Sequence, residues 1–183
     1  MLMVIVSGAC SLAAAQGTGA FASRGLFTAS ASIGPGFMLQ QPRTNIYVAG
    51  DWNYFLEDRI SLSGYGAWFI DQQQDNARLV QNSQLSFGPV YHWSRGRADI
   101  GLGFMPGVSF ARLRSPGSAE DPAPTKAIPH VSLSGKATYY VWRYLHFFAN
   151  VRYVHARFSG DPGGSYPLDE IIVTGGLGWQ VRL

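Results

Sequence analysis

At 183 residues the chain has the length of one domain, and only 14% of it is charged, against roughly 25% in soluble domains. Its 22 glycines argue against a mainly helical protein, and its formal net charge of +3 is spread without a basic cluster, which excludes a nucleic-acid patch. The single cysteine, Cys10, excludes an intramolecular disulfide framework, and no apolar stretch reaches the roughly 18 residues that a transmembrane helix needs.

The first element, "MLMVIVSGACSLAAAQG", is a short apolar run followed by small residues and Ala13-Ala14-Ala15. It has the h-region and A-x-A pattern of a secretory signal over 1–15, without the positive n-region, so the natural start is expected upstream. A short lead over 16–23 follows, and from residue 24 to 183 the pattern is one alternation after another. Side chains of a strand alternate between faces, so each run has two distinct sides.

In "GLFTASASIGPGFML", Phe27, Ala29, Ala31, Ile33 and Phe37 oppose Thr28, Ser30, Ser32 and Gly34. The second strand sets Ile46, Val48, Trp52, Tyr54 and Leu56 against Asn45, Tyr47, Asp51 and Asn53. The third sets Ile60, Leu62, Trp68 and Ile70 against Ser61, Ser63 and Tyr65, and the fourth Leu85, Phe87, Tyr91 and Trp93 against Asn82, Gln84, Ser86 and His92. The fifth sets Ile100, Leu102, Phe104, Val108 and Phe110 against Asp99, Gly101, Gly103 and Ser109. In the sixth, Val131, Leu133, Ala137, Tyr139 and Val141 oppose His130, Ser132, Ser134, Lys136 and Thr138. In the seventh, Leu145, Phe147, Ala149, Val151 and Tyr153 oppose His146, Phe148, Asn150 and Arg152. The eighth, "IIVTGGLGWQVRL", sets Ile171, Val173, Leu177, Trp179, Val181 and Leu183 against Ile172, Thr174, Gly176, Gly178, Gln180 and Arg182.

The connections after strands two, four and six are tight and charged, at Glu57-Asp58-Arg59, Arg95-Gly96-Arg97 and Arg143, whereas those after three, five and seven are longer and rich in Gln, Pro, Gly or Asp. An even number of amphipathic strands with short turns at one end and longer loops at the other predicts an antiparallel, up-and-down transmembrane β-barrel. The apolar side is placed outward on lipid. A solvated exterior would be about a quarter to a third charged, and the polar side here is mostly Ser, Thr, Asn, Gln and Gly, with few Lys or Glu. An eight-stranded interior also has room for small side chains rather than for the large apolar set. Aromatics sort the same way: Trp52, Tyr54, Tyr91, Trp93, Tyr139, Trp142 and Trp179 lie at the late ends of even strands and form a predicted headgroup girdle. Trp142 has inward parity and joins it only if strand six has ended there.

The chain resembles the small OmpA/OmpX-type outer-membrane barrels of Gram-negative bacteria over essentially 24–183, as in the hairpin "DWNYFLEDRISLSGYGAWF". Its end is similar to that family's assembly signal, with Thr174, Gly176, Trp179 and Val181 at the matching positions and Leu183 where Phe is common. The resemblance implies a signal-directed, monomeric outer-membrane protein with periplasmic termini. Its partners would be membrane lipids, lipopolysaccharide and the barrel-assembly machinery, with no cofactor. No further domain follows the eighth strand, so no peptidoglycan-binding module is expected.

Inward ionisable groups are Asp51, Asp99, Lys136, Arg152 and Arg182, expected to form a polar network that plugs the lumen. Lys136 and Arg152 fall at mid-depth, with few acidic partners there by strand position. The role expected is non-enzymatic, structural or surface-interacting, and a narrow ion path is the alternative for the interior. A second alternative is hydrolysis, because "HARFSG" resembles the His-x-Ser and later acid of lipid A deacylases. His155 would be the base, oriented by Asp169 or Glu170, but Arg157 occupies the nucleophile's place and Ser159 is displaced. His92, His130 and His146 sit on separate strands without metal-ligand spacing, so no metal site is predicted.

Overall fold

A computed structural model describes residues 21–41, 43–70, 78–114, 124–161 and 164–183. The signal-like segment, most of the lead and the tips of the long loops lie outside them. Nine strands form: β1 (Leu26–Met38), β2 (Thr44–Glu57), β3 (Ile60–Ile70), β4 (Leu79–Arg95), β5 (Ala98–Leu113), β6 (Lys126–Tyr140), β7 (Leu145–Asp161), β8 (Gly164–Pro167) and β9 (Glu170–Arg182). Each of β1 to β6 pairs antiparallel with the next, β7 pairs with β6 and β9, and β9 returns to β1. The chain is an all-β, closed, eight-stranded antiparallel barrel.

The short β8 is the eighth barrel strand begun early. Its pairs Arg157↔Pro167 and Phe158↔Tyr166 continue the register of Val154↔Glu170, and Leu168 N still donates to Ala156 O at 2.9 Å. Between β8 and β9 Leu168 and Asp169 fall outside the two strands, yet the register runs on through them and Leu39 N donates to Asp169 O at 2.9 Å. The tight turn of β4–β5 is made by Gly96, whose φ of 56° suits a residue without Cβ. Strand six ends at Tyr140, so Trp142 escapes the inward parity of β6 and is 59% exposed.

Burial follows the alternation. Ile33, Trp68, Phe104, Leu133 and Val151 stand exposed around the outside, while Tyr47, Met105, Val154 and Ile172 are fully buried within. A soluble monomer rarely exposes so broad an apolar surface. On this outer wall the indole of Trp52 lies over Gly64, where a Cβ would sit 2.4 Å from Nε1. The girdle residues pair up: Tyr91 meets Trp93 edge-on at 4.8 Å, and Trp142 meets Tyr144 at 5.7 Å.

The lumen is stratified. At the loop end Met38, Leu79, Leu113, Ile128, Phe158 and Leu168 belong to one apolar cluster. At mid-depth Tyr47, Tyr65, Phe69, Met105, Val154 and Ile172 belong to a second. At the turn end Leu26, Phe55 and Tyr140 form a third with Ala22, and Phe21 stacks on Tyr140 at 4.7 Å. Phe21 and Ala22 thus lie across the turn end of the barrel, with Phe21 N donating to Gly96 O at 2.8 Å.

Candidate functional site

Polar chambers lie between these apolar layers. Nearest the loop end, the side chain of Glu170 is fully buried and accepts from Asn45 Nδ2 at 2.6 Å and Tyr47 OH at 2.7 Å, with Asn82 and Gln84 each at 3.4 Å. Below the middle cluster, Arg152 donates to Ser132 Oγ at 2.8 Å, and its Cζ sits 3.9 Å from the centre of the Tyr65 ring. A buried cation over an aromatic face is held by the ring's quadrupole, which replaces part of its lost hydration.

One layer further down, Lys136 forms an ion pair with Asp51 across the lumen. Ser30 Oγ donates to Asp51 Oδ1 at 2.6 Å and Asn53 Nδ2 to Oδ2 at 3.3 Å. The next group is Ser61, His92, Asp99 and Ser94. Ser61 Oγ lies 2.8 Å from His92 Nε2, His92 Nδ1 lies 2.8 Å from Asp99 Oδ2, and Ser94 donates to Asp99 Oδ1 at 2.5 Å. The connectivity is that of a serine hydrolase triad. Ser61 is nevertheless fully buried, and the Phe55 ring covers His92 at 4.4 Å, so no acyl group reaches the hydroxyl. These side chains tie β3, β4 and β5 together. A cavity of about 20 Å³, the room of a single water, lies among His92, Asp99, Asp51, Lys136 and Arg152.

At the loop end of the outer wall, His155 Nδ1 is 2.6 Å from Asp169 Oδ1, and Gln40 Nε2 donates to Asp169 Oδ2 at 2.8 Å. Asp169 is buried between β8 and β9, opposite His155 in the register, while the His155 side chain is 49% exposed. A carboxylate fixed from behind in this way sets the plane and tautomer of its histidine. Ser159 faces outward four residues further along β7, about 13 Å away at strand rise. Arg157 stands between them on the same side and is exposed.

Asp51, Asp99, Lys136 and Arg152 all face the lumen, but Arg182 departs from the set. It is exposed at the rim, where its Nη2 donates to Phe21 O at 3.0 Å. Lys136, expected to lack acid at its depth, finds one on the far wall in Asp51. Of the four hydrolase candidates, His155 and Asp169 come together, Ser159 stays apart, and Glu170 turns inward, away from His155. At the chain's end, Thr174 points inward, Gly176 faces the Phe148 ring, and Trp179, Val181 and Leu183 are exposed. Among the described residues no group of three His, Cys, Asp or Glu is placed to hold a metal.

No protein-family model and no curated sequence matches the chain. Solved structures do. The outer membrane protein OprG of Pseudomonas aeruginosa aligns at a TM-score of 0.62 and 11% identity, over 88% of this chain and 98% of OprG. The N-terminal β-barrel domain of OprF from the same organism aligns at 0.61 and 12%, over 87% and 99%. This is the fold of the small outer-membrane barrels. Neisserial surface protein A aligns similarly, at 0.60 and 10% identity, over 88% of this chain and 99% of its own. At such identities the shared property of these outer-membrane barrels is the fold, and the site residues above are this chain's own.

Two features of the site escape a sequence reading. Glu170 looks like a loop acid because it follows "SGDPGGSYPLD", yet it opens β9 facing inward. The lead residues Phe21 and Ala22 carry no periodic signal, and only three-dimensional closure brings them under Tyr140.

Proposed function

We propose that this chain is a monomeric, non-enzymatic barrel of the bacterial outer membrane, serving a structural or surface-interaction role with a lumen closed to ions. The observation that carries the reading is the set of three apolar clusters buried at the loop end, the middle and the turn end of the lumen, with polar side chains between them. An eight-stranded barrel has just enough interior for side chains to fill. Here Tyr47, Phe55, Met105 and Tyr140 fill it. In this reading the tight turns and both ends of the barrel domain face the periplasm, the longer loops face outward, and lipopolysaccharide surrounds the loop end. The barrel-assembly machinery acts as partner during insertion.

Planar-bilayer recording of the purified protein tests the closed lumen, with silence expected. Steady single-channel steps would contradict it. A hydrolase is the second reading, favoured by the His155–Asp169 pair alone. Mass spectra of lipid A from cells with and without the protein decide it, since loss of one acyl chain that depends on His155 replaces the non-enzymatic reading.

A further inference from the structure

On the outer side of β7 the character of the wall changes abruptly. Leu145, Phe147, Ala149, Val151 and Tyr153 are apolar or aromatic, and the next two outward residues are His155 and Arg157. In a membrane barrel such a change marks the exit from hydrocarbon into the headgroup zone. Arg157 has no hydrogen bond or ion pair with any described residue, and its charge is exposed where lipid phosphates lie. His155 differs, because its Nδ1 is committed to Asp169 and Asp169 is anchored by Gln40. With Nδ1 held by the carboxylate, Nε2 is the ring nitrogen left to face outward. The wall thus offers a planar cation and an oriented imidazole, two residues apart on one strand, or about 7 Å.

Resting on the membrane-barrel reading, we propose that this pair docks one lipid headgroup that carries both an anionic phosphate and a free hydroxyl. Arg157 takes the phosphate with its forked guanidinium, the geometry that suits a bidentate phosphate contact. His155 Nε2 hydrogen-bonds the hydroxyl. Asp169 and Gln40 are positioning residues that keep the ring turned outward. An orienting carboxylate would be superfluous for a purely electrostatic anchor, so the hydroxyl is the part of the ligand that the His155–Asp169 pair selects.

The test uses native mass spectrometry of the full chain in detergent, offered equal amounts of phosphatidylglycerol, phosphatidylmethanol and phosphatidylcholine. Phosphatidylglycerol has a singly charged phosphodiester and hydroxyls, phosphatidylmethanol the same phosphodiester without a hydroxyl, and phosphatidylcholine a zwitterionic head without a hydroxyl. Retention is expected in that order. Arg157→Ala should lower retention of both anionic lipids about tenfold, the scale of one charge-assisted contact. His155→Phe should bring phosphatidylglycerol down to the level of phosphatidylmethanol and leave phosphatidylmethanol unchanged. Equal retention of all three lipids by the wild type, or no effect of Arg157→Ala, overturns the proposal. Gel migration of boiled and unboiled samples reports the barrel separately. A protein that runs alike in both, and stays soluble without detergent, removes the membrane reading and this site with it.

Discussion

The buried pair of Asp51 and Lys136 reports directly on whether the lumen is dry. Two unit charges about 4 Å apart attract by roughly 1 kcal/mol in water and by about 4 kcal/mol at the effective dielectric of a protein site. Both side chains are largely buried, at 8% and 14% exposed, so the pair belongs to the second case. Removing one partner of a buried pair strands the other and costs about 3–5 kcal/mol. The two single changes differ. In Lys136→Met the carboxylate keeps Ser30 Oγ at 2.6 Å and Asn53 Nδ2 at 3.3 Å. In Asp51→Asn the ammonium keeps only Ser30 Oγ at 3.4 Å and the Phe148 ring at 4.8 Å, besides the new amide. Asp51→Asn should therefore be the more damaging, near the upper end of that range, with Lys136→Met near the lower. The double variant should lose far less than their sum, with a coupling of about 2 kcal/mol or more. Urea titration of the protein in lipid vesicles, followed by fluorescence of its five tryptophans, measures all three. Single losses under about 1 kcal/mol that simply add would refute the reasoning, because only a water-filled lumen screens the pair so well.

Other outcomes follow from the same geometry. Gly64→Ala puts a methyl within van der Waals overlap of the Trp52 indole, so the ring must swing off the wall. A stability loss of about 1–3 kcal/mol is expected, with a shift in tryptophan emission that vanishes in a Trp52→Phe background. Glu170→Leu strands the donors of Tyr47 and Gln84, leaves Asn45 and Asn82 only Tyr47 OH, and should cost about 2–4 kcal/mol in urea titration, while Glu170→Gln costs less. Phe21→Ala removes the stack on Tyr140 and should cost about 1–2 kcal/mol, yet bilayer recordings should stay silent because Phe55 and Tyr140 still close the turn end.

The strands were legible because lipid outside and a narrow interior each demand one residue class on one side. From β2 to β5 the alternating runs and the paired strands agree to within about two residues at each end. Register around the wall was legible too, since slipping by one residue would turn every Leu and Ser to the wrong side. Contacts across the lumen were not. Asp51 on β2 meets Lys136 on β6, with three strands between them along the wall by either route, and strand depth judged from distance along the chain misses the relative slide of strands. Arg182 kept inward parity but lay past the last closed layer, where parity no longer implies burial. His155 and Asp169 were legible as a pair from a family pattern. What places them together is the register of β7 on the eighth strand, which sets Asp169 opposite His155 and which neither strand announces alone.

The register of the eighth strand also decides where its two acids point. Against β7 the pairs Arg157↔Pro167 and Val154↔Glu170 share one register, so side chains keep alternating through Leu168 and Asp169. Asp169 falls on the outer side, opposite His155, and Glu170 on the inner side, opposite Val154. Two acids adjacent in sequence are thus turned to opposite sides of the same wall, chemically insulated from one another.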